Sequence, residues 1–214
     1  MIPDFEQLNK RYNVCDQIIN NDDLPFEKKI NKAVWRGATT GYHPISYFRS
    51  QRSILCQISE NFPELVDAGF TIYCQGQEHI PELVSYKKNW LSYEELLNYK
   101  YLVMPDGNAA SYTASCWRFF SNSCVLICAS PYVQWYYPLM HPFQHFIPIA
   151  ADCNDLIQKL ILCEKKPDLT KKIVANCKNL ADNFLRQEHA LAYLYHVLAL
   201  YSELYQKANQ HKVP

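Results

Sequence analysis

Tyr99-Lys100-Tyr101-Leu102-Val103-Met104, followed at once by Pro105-Asp106-Gly107-Asn108, reads as a strand that stops abruptly. Six aromatic, aliphatic and long side chains without a helical period suit a buried strand, and a Pro-Asp-Gly cluster suits a turn. Just upstream, Ser92 with Glu95 three residues later forms a capping box, so a short helix leads into the strand. Downstream, a helix is expected from about Ser111 to Ser121, then a strand at Val125-Leu126-Ile127-Cys128.

The same alternation extends in both directions. Lys32-Ala33-Val34-Trp35-Arg36 reads as an earlier strand ending at Gly37, Ser46 to Asn61 as a helix with Ile54, Leu55, Ile58 and Phe62 on one face, and Gly69 to Cys74 as a second strand. Beyond the central unit, Phe146-Ile147-Pro148-Ile149 is a short strand, and Asp155 to Leu162, Asp168 to Leu185 and Ala190 to Lys207 are helical. Phe5, Leu8, Tyr12, Cys15 and Ile19 recur three or four apart, the period of an amphipathic helix before residue 20. Strands that alternate with helices imply right-handed crossovers. The expected fold class is therefore α/β: a Rossmann-like parallel sheet with helices on both faces and a helical C-terminal tail.

Composition excludes several classes. Lys plus Arg equal Asp plus Glu at 21 each among 214 residues, so no global field gathers nucleic acid or an anionic membrane, and an anionic ligand must meet a local site. No charge occurs from Phe119 to Ala151, yet Pro131, Pro138, Pro142 and Pro148 interrupt that stretch, so it is read as buried sheet and cleft wall with no transmembrane segment. The nine cysteines are scattered without a C-x-x-C pair or a signal peptide, and are read as reduced, mostly buried apolar residues. A reducing cytoplasm is the expected home; peripheral attachment to a membrane is compatible with it.

Ligands of open parallel sheets bind beyond the carboxyl ends of the strands. The polar residues collect there: Trp35-Arg36-Gly37 after the first strand and Asp106-Gly107-Asn108 after the third. The second turn is the better anion site, because a glycine permits close backbone approach and the next helix begins with free N–H groups near Ser111. Arg36 and Arg52 offer planar forks of donors for a diphosphate, although either could instead make a surface ion pair. His141 and His145 flank Pro142 and have no acidic third ligand nearby, so no metal site is expected. The aromatic cluster Tyr132, Trp135, Tyr136 and Tyr137 suits either core packing or a stacking surface.

Four blocks carry a resemblance to glycosyltransferase family 90, which holds capsule-associated proteins, lipopolysaccharide-modifying transferases and protein O-glucosyltransferases. They are Lys32-Ala33-Val34-Trp35-Arg36-Gly37; Arg52 with Leu65-Val66-Asp67-Ala68-Gly69-Phe70-Thr71; Tyr99 to Leu102 with Asp106 to Ser111; and Tyr137-Pro138-Leu139 with Pro142 to Pro148. The resemblance implies a two-lobed GT-B architecture with inverting, metal-independent transfer from a UDP-sugar to a glycan, lipopolysaccharide or protein hydroxyl. It assigns this chain to the donor-binding half, with residues 1–24 as a linker helix and residues 25–214 as a nucleotide-sugar-binding domain. No cofactor is implied beyond the donor itself.

By position, the resemblance implies donor contacts from Arg36, Gly37, Thr39, Arg52, Asp106, Gly107, Ala109, Ala110, Ser111 and Thr113, with Trp135, Tyr136 and His145 in the cleft wall. Thr113 stands where the family commonly has an arginine that holds the diphosphate. The family's general base is a carboxylate on the other lobe, so the expected partners are a UDP-sugar, an acceptor, and either a separate N-terminal lobe or a second copy. The alternative expectation is a truncated module that binds nucleotide or a partner without turnover.

Overall fold

The computed structural model describes residues 23–41, 46–110 and 115–210, together with Pro3, Leu8, Cys15 and Ile18. Its centre is a five-stranded sheet in the order β2-β1-β3-β4-β5, with every pairing parallel. The strands are β1 (Ile30–Ala38), β2 (Val66–Ile72), β3 (Tyr99–Met104), β4 (Cys124–Cys128) and β5 (Ile147–Ile149). The helices are α1 (Gln51–Asn61), α2 (Pro81–Ser85), α3 (Tyr93–Leu97), α4 (Leu156–Lys165), α5 (Pro167–Phe184) and α6 (Gln187–Gln210). The α/β, Rossmann-like reading is thus what the chain adopts.

Both faces of the sheet are covered, and strand periodicity divides the core between them. Ala33, Trp35, Tyr101, Val103, Leu126 and Cys128 point to one face, against Leu55 and Cys56 of α1 and Leu156 and Leu160 of α4. Val34, Leu102 and Val125 point to the other, against Leu96 and Leu97 of α3, Phe119 and Phe120, and Leu180 of α5. Successive strand residues face opposite ways, so strands buried on both sides read as continuous apolar runs. Cys15 and Ile18 are buried in the second cluster, so the segment before β1 contributes to the core.

Several boundaries differ from expectation. The strand placed at Gly69 to Cys74 runs from Val66 to Ile72, because Val66 and Ala68 already pair with β1. The helix expected from Ser46 is a 3-10 turn, Tyr47–Arg49, followed by α1 with Ser50 as N-cap, whose Oγ accepts from Ser53 N–H at 3.2 Å. After β3, residues 111–114 lie outside the described residues, and Cys116–Phe120 form a 3-10 helix with all five side chains buried. The nine cysteines are unbridged, and eight are buried.

A buried lysine locks the start of the sheet. Lys29 Nζ donates to Asp23 Oδ1 (2.6 Å), the Leu97 carbonyl (2.5 Å) and Ser123 Oγ (2.9 Å), so all three of its protons are used. Its amine is pulled below the usual lysine range by burial, with the Asp23 partner opposing. The capping box at α3 is present in both directions: Ser92 Oγ accepts from Glu95 N–H, and Glu95 Oε2 accepts from Ser92 N–H.

Candidate functional site

The chain leaves β1 for β2 on one side and reaches β3 on the other, so the sheet's switch point lies between the carboxyl ends of β1 and β3. The loops diverge there and leave a crevice. A cleft of about 550 Å³ occupies it, within the ordinary range of small-molecule sites. Gly37 and Ala38 of β1, Thr71 and Ile72 of β2, Met104 of β3 and Ile127 and Cys128 of β4 line it. Trp90, Leu91 and Tyr93 form one flank, and Trp117, Arg118 and Tyr137 line another part.

The turn after β3 is held by hydrogen bonds with three other segments. Gln51 Oε1 accepts from Asp106 N–H at 2.7 Å, Gly41 N–H donates to Asn108 Oδ1 at 3.1 Å, and Gln134 Nε2 donates to the Ala110 carbonyl. These bonds fix the loop, yet the N–H groups of Gly107, Asn108, Ala109 and Ala110 meet no acceptor among the described residues. Consecutive free amides on a held loop form a concavity that attracts phosphate oxygens.

Arg52 stands beside this loop. Its Nε donates to the Asp106 carbonyl (2.8 Å), and its Nη1 donates to the Ala38 carbonyl (2.8 Å) and Thr40 Oγ1 (2.6 Å). Its guanidinium carbon lies 5.4 Å from the Trp35 ring centroid. Nη2 makes no hydrogen bond among the described residues, and a Cβ at position 107 would come within 2.5 Å of it. A glycine there lets the guanidinium approach the loop backbone without displacement. Burial lowers the Arg52 pKa to about 10, with Asp106 opposing, so the group stays cationic at neutral pH. Asp106 is pushed up by burial against a hydrogen bond from Ser130 and the charge of Arg52.

Arg36 also lines the cleft, but its donors are engaged within the fold. Nε donates to the Asn89 carbonyl, Nη1 to the Trp35 and Asp67 carbonyls, and Nη2 to both Asp67 carboxylate oxygens at 3.0 and 2.9 Å. Lys88 Nζ and Tyr99 Oη reach the same carboxylate at 2.7 and 3.1 Å. Burial alone would raise the Asp67 carboxyl; hydrogen bonds and charge from Arg36 and Lys88 prevail and hold it at about 2. Arg36 is in this structure a strut between β1, β2 and the segment before α3, with no donor left for a diphosphate.

Of the remaining expected contacts, Gly37, Asp106, Gly107, Ala109 and Ala110 line the cleft, whereas Ser111 and Thr113 fall outside the described residues. Thr39 does not line it: its Oγ1 accepts from Cys74 N–H at 2.9 Å. The cleft-wall expectation fails for Trp135 and Tyr136, which lie in the core, Trp135 stacked on Tyr193 at 4.7 Å. An aromatic cluster in sequence does not say which ring turns inward; Tyr137 is the one that reaches the cleft. His145 is likewise buried away from it, its Nδ1 accepting from His141 N–H at 2.9 Å.

Sequence reasoning missed Arg118. Its side chain is buried at the cleft, 4.4 Å from the Trp117 ring centroid, and burial lowers its pKa to about 10, with the Arg52 charge acting in the same direction. The available signal was a lone charge at the head of the charge-free stretch beginning at Phe119. Trp90 and Tyr93 were missed as well, because no motif marks a residue that reaches a cleft from a connecting segment.

Comparison with known proteins bears on this geometry. The sequence model for Glycosyl transferase family 90 matches residues 7–213. Protein O-glucosyltransferase 3 from Homo sapiens is 31% identical over 186 residues, covering 87% of this chain and 34% of the human protein. Protein O-glucosyltransferase 1 from Rattus norvegicus is 27% identical over 179 residues, covering 84% of this chain and 43% of the rat protein. Protein O-glucosyltransferase 2 from Danio rerio is 26% identical over 179 residues, 84% of this chain and 34% of the fish protein. The chain thus spans roughly a third to two fifths of the length of these curated relatives.

Proposed function

Because the chain belongs to glycosyl transferase family 90, we propose that its cleft binds a UDP-sugar and that the chain is the donor-holding half of an inverting, metal-independent glycosyltransferase. The sugar passes to a hydroxyl of a glycan, a lipopolysaccharide or a protein; the relatives' names favour a protein acceptor and glucose. One observation carries the reading: Gly107 to Ala110, whose backbone N–H groups meet no acceptor among the described residues, line the same cleft as the cationic Arg52. Backbone donors and a guanidinium together suit the oxygens of a diphosphate. In this reading Arg52 Nη2 and the amides of residues 107–110 take the diphosphate, while Arg36 acts indirectly by holding the cleft's flank.

Chemistry at the acceptor needs a general base, which typically contributes about 10²–10⁴ in rate. Asp106 is the sole carboxylate among the described cleft residues. Its place beside Arg52 at the anion loop suits donor binding better than deprotonation of an acceptor. This favours a base supplied by a second lobe, on the same parent protein or on another chain. The second reading, a module that binds nucleotide without turnover, rests on the same observation.

Calorimetric titration of the chain with UDP, GDP and uridine at fixed salt tests the donor assignment. Saturable binding that prefers UDP is expected, and no binding of any of the three would overturn it. Adding a complementary lobe then separates the two readings, because only the first predicts transfer.

A further inference from the structure

We propose that Trp90 is the stacking platform for the nucleobase of the donor, an inference that rests on the cleft taking a nucleoside diphosphate. Of the four tryptophans, Trp35, Trp117 and Trp135 are buried, whereas Trp90 is 67% exposed and lines the cleft. Single exposed apolar residues are ordinary on protein surfaces. What distinguishes Trp90 is the backbone that carries it.

That backbone is held from three directions. Phe70 N–H donates to the Tyr86 carbonyl (3.0 Å) and Lys88 N–H donates to the Phe70 carbonyl (2.9 Å), so the segment pairs along the outer edge of β2. Lys88 Nζ reaches Asp67 Oδ1 at 2.7 Å and Ser59 Oγ at 3.1 Å. Its stem crosses Gly69, where a Cβ would lie 2.5 Å from Lys88 Cγ. The residue next to Trp90 is fixed as well, by Arg36 Nε donating to the Asn89 carbonyl at 3.1 Å. Arg36 Nε on the Asn89 carbonyl and the Asp67 carboxylate on Lys88 thus brace the two residues immediately before the indole. An aromatic face presented on braced backbone loses little freedom when a flat ligand settles on it.

The topology assigns which part of the ligand meets it. The stretch that leads into Trp90 pairs outside β2 at Lys87, whereas the anion loop follows β3, so β2 and β1 lie between that pairing and the loop. A transferred sugar is bonded directly to the terminal phosphate and must stay near the anion loop. The base is at the opposite end of the ligand, on the Trp90 side. Stacking tolerates any base, so Trp90 supplies affinity while polar groups on the base edge supply choice among bases.

Wild type, Trp90→Ala and Trp90→Phe are titrated with UDP, uridine, a UDP-sugar and pyrophosphate, by calorimetry and tryptophan emission. UDP and uridine should quench the long-wavelength emission of wild type. Trp90→Ala should weaken both by a similar factor, roughly tenfold, and leave pyrophosphate affinity unchanged. Trp90→Phe should recover most of the loss, and all three proteins should melt alike. Loss confined to the UDP-sugar would place the sugar at Trp90 and overturn the assignment, as would unchanged UDP affinity in Trp90→Ala. Wild type that binds UDP while the variant binds it equally well sinks the platform alone. Wild type that binds no nucleotide sinks the donor reading and this inference with it.

Discussion

Arg36 and Arg52 look alike in the sequence, each a lone arginine in a motif block, and the fold gives them different work. Arg52 keeps Nη2 toward the anion loop, so Arg52→Ala should weaken UDP binding by about 1.5–3 kcal/mol with the domain still folded; calorimetry and a melting curve check both halves. Asp67 shows the other kind of charge. Its folded pKa, about 2, lies below the ordinary 3.8, so it contributes stability that is complete above about pH 4 and is lost as pH falls toward 2. Urea midpoints measured from pH 5 to pH 2 should show that acid loss, and Asp67→Asn should be less stable at pH 5 with a flatter acid limb. Gly107 was legible as a turn glycine, but its close approach to the Arg52 guanidinium was not, since Arg52 lies 54 residues before the Asp106 carbonyl that its Nε binds.

Among the elements, α3 is short but consequential, because Tyr93 and Leu96 on it line the cleft and Leu97 gives its carbonyl to Lys29. Five residues cannot hold a helix by propagation alone, so the capping box matters more here than on a long helix. Ser92→Ala should cost about 1 kcal/mol, read as a lower denaturant midpoint with an unchanged slope. This signal was readable in advance because a capping box is local: one side chain reaches an amide three residues away. Strand existence was equally readable, since β1, β3 and β4 are apolar runs bounded by turn residues. The limits of β2 were not, because Val66 is recruited by its pairing with Ala33, a partner more than thirty residues distant.

For the molecule as a whole, the two apolar clusters enclose the sheet, and α6 stands partly apart from them. Ala190 is buried and Tyr193 stacks on Trp135, but Leu200, Tyr201, Leu204 and Tyr205 are 60–65% exposed. Deleting residues 199–210 should therefore shift the melting temperature by no more than about 2 °C, checked by calorimetry against the full chain; a larger drop would mean that these residues contribute to the fold. No helix among the described residues is long and apolar enough to cross a membrane. By itself the sequence determined the fold class, the strand-end turns and the family, because each is written in local patterns: strand runs, glycine turns and short motif blocks read in order. Only the tertiary structure decided that Arg36 is engaged with Asp67 while Arg52 retains a donor, that Trp135 and Tyr136 turn inward while Tyr137 reaches the cleft, and that Arg118 and Trp90 join the site. Those outcomes depend on partners tens of residues away, brought together by strand order and crossover, so no local pattern records them.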